Sequence, residues 1–144
     1  GVVQRYLNKI SGPLLDRIDL HVEVTPIKFD EMVESRKSET SESIRWRVIK
    51  AREIQEKRFE GTDNVHNNAM MNSQMTKEYC QINDLGKKLL KTAMEKLGLS
   101  ARAFDRILKV SRTIADLADS ETIRPEHIAE AIQFRSLDRE NWAG

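Results

Sequence analysis

Between residues 101 and 118 the apolar positions recur at helical spacing. In "ARAFDRILKVSRTIADLAD", Phe104, Ile107, Leu108, Ser111, Ile114, Ala115 and Ala118 fall on one face at about 100° per residue, and Ser100 stands where an N-cap belongs. Just upstream, "NDLGKKLLKTAMEKLGLS" sets Leu85, Leu89, Ala93 and Leu97 on one stripe, with Asn83 or Asp84 as cap and Gly98 past the end. Downstream, "TIRPEHIAEAIQFR" places Pro125 at a first helical position and turns Ile128, Ala131 and Ile132 inward. Earlier still, "SESIRWRVIKAREIQEKRFE" reads as a long helix capped by Thr40 or Ser41, burying Ile44, Val48, Ala51 and Gln55, with Trp46 and Ile49 widening the stripe. A shorter helical piece is predicted at "KFDEMVESR". The asparagine-rich "GTDNVHNNAMMNSQMT" is the natural connector, roughly residues 61 to 75, with Met70, Met71 and Met75 anchoring parts of it.

One segment departs from this period. "DLHVEV" (19–24) alternates Leu20, Val22 and Val24 with Asp19, His21 and Glu23, which predicts a strand ended by Pro26. No second strand pattern occurs, and a lone strand cannot satisfy its own backbone groups. The predicted architecture is therefore mainly α: a small bundle of four or five helices preceded by a single strand.

Composition changes this picture little. In 144 residues, 33% are charged and 39% hydrophobic, the balance of a helix-rich globular domain, and the net charge of +1 gives no global pull toward nucleic acid or membrane. No apolar stretch approaches the ~20 residues that span a bilayer. The single cysteine, Cys80, cannot close an intrachain disulfide, which fits a reducing, cytoplasmic setting. The opening "GVVQRY" carries neither an initiator methionine nor a signal pattern and suggests a piece of a longer protein.

Candidate chemistry is basic rather than metallic or nucleophilic. Arg102, Arg106 and Lys109 lie within about 60° of one another on the 101–118 helix, opposite its apolar face. Such a stripe is either a solvated face, with Asp105, Asp116 and Glu121 nearby, or an anion site in which Arg102 adds a guanidinium to a helix N-terminus. On the long helix, Arg45, Arg47, Lys50, Arg52, Lys57 and Arg58 are offset by Glu53, Glu56 and Glu60, so a salt-bridged surface ranks ahead of a DNA track, and Trp46 ranks as core ahead of a base-stacking platform. His21, His66 and His127 are scattered and Cys80 lacks a CxxC partner, so no metal site is expected. The chain has no GxxxxGK[ST] phosphate loop, and alone it should hold no nucleotide and hydrolyse none.

Taken together, "SGPLLDRIDLHVEV", "LGLSARAFDRILKVSRTIADLA" and "IRPEHIAEAIQFRSLDR" resemble the C-terminal part of the magnesium-chelatase-like AAA+ ATPases of the YifB/ComM family, over nearly the whole chain and least in residues 61–80. The resemblance implies that residues 1 to about 26 end the αβα ATPase core and that 27–144 form the helical lid. "LLDRIDL" is similar to the "LLSRFDL" pattern of minichromosome maintenance helicases, which implies that Arg17 is an arginine finger aimed at the γ-phosphate of a neighbouring subunit. Asp16 replaces the serine of that pattern, and the other role open to Arg17 is to tie the strand down by pairing with Asp16 or Asp19. In "LSARAFDRIL", Arg102 matches the lid arginine termed sensor 2, with Arg106 the alternative, and Arg5 is a further candidate for the subunit interface.

For the intact protein the resemblance implies ATP and Mg²⁺ as cofactors, self-association into a ring, expected to be a hexamer, and ATP-driven work on DNA through the missing core, in recombination or DNA uptake. The isolated piece is expected to be monomeric. Two alternatives stay open: a magnesium-chelatase motor subunit that remodels a protein partner, and a stand-alone helical interaction module.

Overall fold

A computed structural model describes residues 9, 11, 14, 17–22, 24, 26 and 38–135. Among them lie five α-helices: α1 (Ser41–Arg58), α2 (Ser73–Tyr79), α3 (Asp84–Leu97), α4 (Ala101–Leu117) and α5 (Pro125–Gln133), with a 3₁₀ turn at Asn68–Met70. The predicted helix at 28–36 lies outside the described residues, as do Arg5, Asp16 and Trp142.

Local chemistry starts each helix. Thr40 accepts from the Ser43 N–H at 3.2 Å, Asn72 from Met75 at 2.9 Å, Asn83 from Gly86 at 2.8 Å and Ser100 from Ala103 at 3.2 Å. Gly98 ends α3 in the left-handed region at φ 60°, where a side chain would be strained. At α5 the capping group is unusual: His127 Nδ1 accepts the Arg124 N–H at 3.1 Å, in the place a Glu or Gln takes in a capping box.

The core forms around α4, which packs most extensively on α5 and also against α1, α2 and the 3₁₀ turn, while α3 packs on α5. Ile107, Leu108 and Ala115 of α4 meet Leu90 of α3, Ile128 and Ala131 of α5, and Phe59, Met71, Cys80 and Ile123 from the connections. Gly86 lets α3 approach α5 closely, since a Cβ there would lie 2.7 Å from Ile128 Cδ1. Burial pushes the Cys80 thiol up to about 11, only partly offset by Arg112 and Arg58, so it is an inert core group.

The inward faces differ from the expected stripes in an instructive way. On α4, Phe104 and Ala118 are exposed, whereas Arg112 and Asp116 are buried. On α3, Leu85 is exposed and Gly86 and Leu90 face in. On α1 only Ala51 and Gln55 are buried; Ile44, Trp46 and Val48 are exposed, so Trp46 is not a core residue. The connector carries more order than its composition suggests, with Asn68 and Met71 buried and α2 starting at Ser73, although Met70 stays exposed. The segment 19–24 forms no strand among its described residues. Leu20, Val22 and Val24 are exposed, as is Asp19, and among the described residues of the segment His21 is the buried one.

The charges that went inside explain the α4 shift. Asp116 accepts from Arg58 through both oxygens, at 2.5 and 2.8 Å, from Asn68 Nδ2 at 2.8 Å and from Arg112 Nε at 3.0 Å. The two remaining nitrogens of Arg112 donate to the carbonyls of Ser120 and Glu121 at 2.6 and 2.8 Å. Asn68 is itself held by the side-chain Oε1 of Gln55, which accepts from its backbone N–H at 3.1 Å. A buried carboxylate and guanidinium are tolerable only when every lone pair and N–H is used in this way.

Two expected outcomes follow from this packing. Asp116→Ala strands Arg112 and Arg58 in the interior and should lower unfolding free energy by about 3–5 kcal/mol, read from urea midpoints at unchanged m-value; a loss under ~1 kcal/mol would mean the network is not structural. Burial, with Arg124 beside it, holds the pKa of His127 below the ordinary imidazole value. The fold therefore favours the neutral ring: its contribution is complete above the unfolded pKa of about 6.5 and is lost as pH falls through the lower folded value. Urea midpoints measured from pH 7.5 to pH 5 should fall more steeply for the parent than for His127→Gln, whose amide oxygen can still take the Arg124 N–H; equal slopes would remove His127 from the account.

Candidate functional site

The outward face of α4 borders a cleft of about 560 Å³ whose lining includes Arg102, Arg106 and Lys109 on one side and Glu130 and Phe134 of the α5 region on another. Val110, Ile114 and Leu117 give it an apolar floor, and Asp19 and Leu20 form part of its rim. The three cations of the stripe therefore do share one site, but each is used differently.

Lys109 is structural. Its Nζ donates to the Met71 carbonyl at 2.5 Å and to Ala69 at 3.2 Å, tying the connector to α4. Arg106 is engaged in an ion pair with Asp19, which brings the N-terminal segment onto the helix. Arg102, exposed in the first turn of α4, has no hydrogen-bond or ion-pair partner among the described residues. No acid occupies that first turn, where the Ser100 hydroxyl takes the Ala103 N–H.

The segment around Arg17 is fastened by its backbone. The His21 N–H donates to the Phe134 carbonyl at 2.7 Å, and Arg135, buried, donates through a terminal nitrogen to the Ile18 carbonyl. Arg17 sits in a turn closed by its own N–H to Leu14 at 3.0 Å and is exposed. Asp19, one of the two acids that sequence reasoning offered to Arg17, is taken by Arg106. Neither Arg135 nor His21 was singled out as part of this arrangement. The available signal was the cation at the end of a predicted helix, where Arg135 follows "IQF".

On the remaining helix, Arg47 pairs with Glu39 at 2.6 Å and Lys50 with Asp119 at 3.7 Å, both exposed, whereas Arg58 turns inward to Asp116. No group of three or more His, Cys, Asp or Glu side chains converges among the described residues, and none of their helices is long and apolar enough to cross a membrane.

Comparison with known proteins accounts for the order of these elements. Residues 38–135 match the family model of the magnesium chelatase subunit ChlI C-terminal region, and residues 2–32 match that of magnesium chelatase subunit ChlI. Competence protein ComM of Haemophilus influenzae is 44% identical over 138 residues, 95% of this chain and 26% of that protein. The uncharacterised protein YifB of Escherichia coli is 38% identical over 137 residues, 94% of this chain and 26% of that protein. An uncharacterised protein of Mycobacterium tuberculosis H37Rv is 32% identical over 132 residues, again 26% of its length. The chain thus spans about a quarter of the relatives it matches. By the family model that covers residues 38–135, it belongs to the magnesium chelatase ChlI family.

Proposed function

We propose that this chain is the lid region of a ring-forming, cytoplasmic ATPase, with residues 1 to about 26 closing its core and 27–144 forming the lid. In this reading Arg17 is a trans arginine finger and Arg102 a sensor for nucleotide in its own subunit. The observation that carries it is a contrast among four cations: Arg106 and Lys109 are committed to protein partners, while the side chains of Arg17 and Arg102 are exposed and have none among the described residues.

Both residues suit phosphate. A guanidinium is a planar fork of fixed charge, and phosphoryl transfer is accelerated chiefly by charge placed on the equatorial oxygens. Arg102 adds such a fork to a helix start that carries no acid. Bound ATP with Mg²⁺ would supply the transferable phosphoryl group. This chain's own residues would orient it and neutralise developing charge, Arg17 from across a subunit boundary and Arg102 from the lid.

The likeness to a protein named for competence supports work on DNA in uptake or recombination, carried out by a ring, with six subunits as the working number. The family's own name favours a second reading, a motor that remodels a protein partner during metal insertion. DNA stimulation of the full-length ATPase separates the two.

The test of the site uses the full-length protein. Arg17→Ala should lower kcat by on the order of 10³-fold or more, and subunits with a disabled nucleotide pocket should be equally inactive. Mixing the two should restore hydrolysis, because each subunit then supplies what its neighbour lacks. A full rate for Arg17→Ala alone would assign the arginine to the fold instead.

A further inference from the structure

Three contacts join the segment just after Arg17 to the lid, and they come from residues far away in the chain. Arg106 of α4 pairs with Asp19, Arg135 holds the Ile18 carbonyl, and the Phe134 carbonyl accepts from His21. Ile18 follows Arg17 directly and Asp19 is the next residue. We propose that this clasp positions Arg17, and that Arg106 is a positioning residue which sets, from the lid, the place of the guanidinium offered to the next subunit. The proposal rests on reading Arg17 as a finger.

The argument is one of geometry and burial. Arg135 is 1% exposed, so its hydrogen bond to Ile18 works without competition from water and fixes one point of the backbone. A single fixed point leaves the segment free to swing. The Arg106–Asp19 pair supplies a second point and His21–Phe134 a third, and three points fix a plane. Arg102 lies one turn before Arg106 on the same helix, about 6 Å along it. One rigid helix thus carries the arginine proposed to read its own nucleotide and the arginine that holds the finger segment.

The pair is well suited to a test, since Arg106 and Asp19 side chains are 31% and 49% exposed and contribute little to folding. In the full-length protein, Asp19→Arg and Arg106→Asp should each lower kcat by about fivefold, the share of the correctly placed population that losing an exposed ion pair can remove, with little change in KM for ATP. Each should be rescued in mixed rings by pocket-disabled subunits, as Arg17→Ala is. The double swap, Asp19→Arg with Arg106→Asp, should recover most of the rate. The near-isosteric Asp19→Asn should fall in the same direction and covers the case in which a reversed charge disturbs folding.

Single swaps that keep their kcat while Arg17→Ala loses it would overturn the clasp and leave the finger standing. Losses that the double swap does not repair would overturn the pairing. A raised KM with kcat intact for Arg106→Asp would mean that Arg106 contacts nucleotide rather than positioning Arg17. If Arg17→Ala itself is fully active, the finger reading fails, and the clasp fails with it.

Discussion

The packing of α4 depends on one carboxylate. Asp116 is fully buried and accepts four hydrogen bonds, two from Arg58, one from Asn68 and one from Arg112. Isolated in the interior such a group would cost several kcal/mol, and two guanidinium groups on one carboxylate leave an excess of positive charge. The excess is absorbed by the Ser120 and Glu121 carbonyls just beyond the end of α4, where the helix terminus is itself partly negative. The end of α1, the 3₁₀ turn, α4 and the turn into α5 are thereby locked to a single point.

That lock gives α4 two faces with different tasks. Its inner face is committed to Asp116, Ile107 and Ala115, so the helix cannot rotate without exposing charge to the core. Its outer face can then present side chains at defined places. Lys109 holds the connector, Arg106 holds Asp19, and Arg102 projects from the first turn. The stripe that looks uniform in sequence becomes a graded series, from structural to exposed.

How much of this could be read from the residues follows the range of the forces involved. Caps at Thr40, Asn83 and Ser100 and the glycine stop at Gly98 are short-range effects and were legible. Helix existence was legible because the 3.6-residue period is strong in α3 and α4. The facing was read less well, because a stripe drawn through apolar residues places every charge outside. Arg112 and Asp116, spaced i and i+4, are the visible exception: an opposite pair amid apolar neighbours is able to go inside if a third partner exists, and that partner, Arg58, lies 58 residues away. The segment 19–24 failed differently. Its period of two is genuine, but a strand is defined by its neighbour, and the polar contacts it makes among the described residues are to Phe134 just past α5 and to Arg106 of α4. The cation stripe was found at its correct residues, while their division of labour depended on Asp19 and on connector carbonyls that no periodicity locates.

The relative strengths of these contacts decide where the molecule can give. Breaking a buried, fully paired network costs about 3–5 kcal/mol, whereas an exposed ion pair such as Arg106–Asp19 is worth about 0–1 kcal/mol. Coupling between distant sites typically amounts to about 1–3 kcal/mol, which lies between the two. On the proposed reading, in which Arg102 senses nucleotide, a coupling of that size would be enough to open or close the Arg106–Asp19 pair but not to disturb the lock at Asp116. The helical body would then move as one, and the change would fall at its border with the Arg17 segment. With the clasp closed the segment is held at three points. With the Arg106–Asp19 pair open, the Arg135–Ile18 and His21–Phe134 bonds remain, and on the proposed reading the segment would turn about those two points. On the proposed reading, a strong interior and a weak border carried on the same helix would allow the state of one nucleotide to be expressed as the position of a residue offered to another.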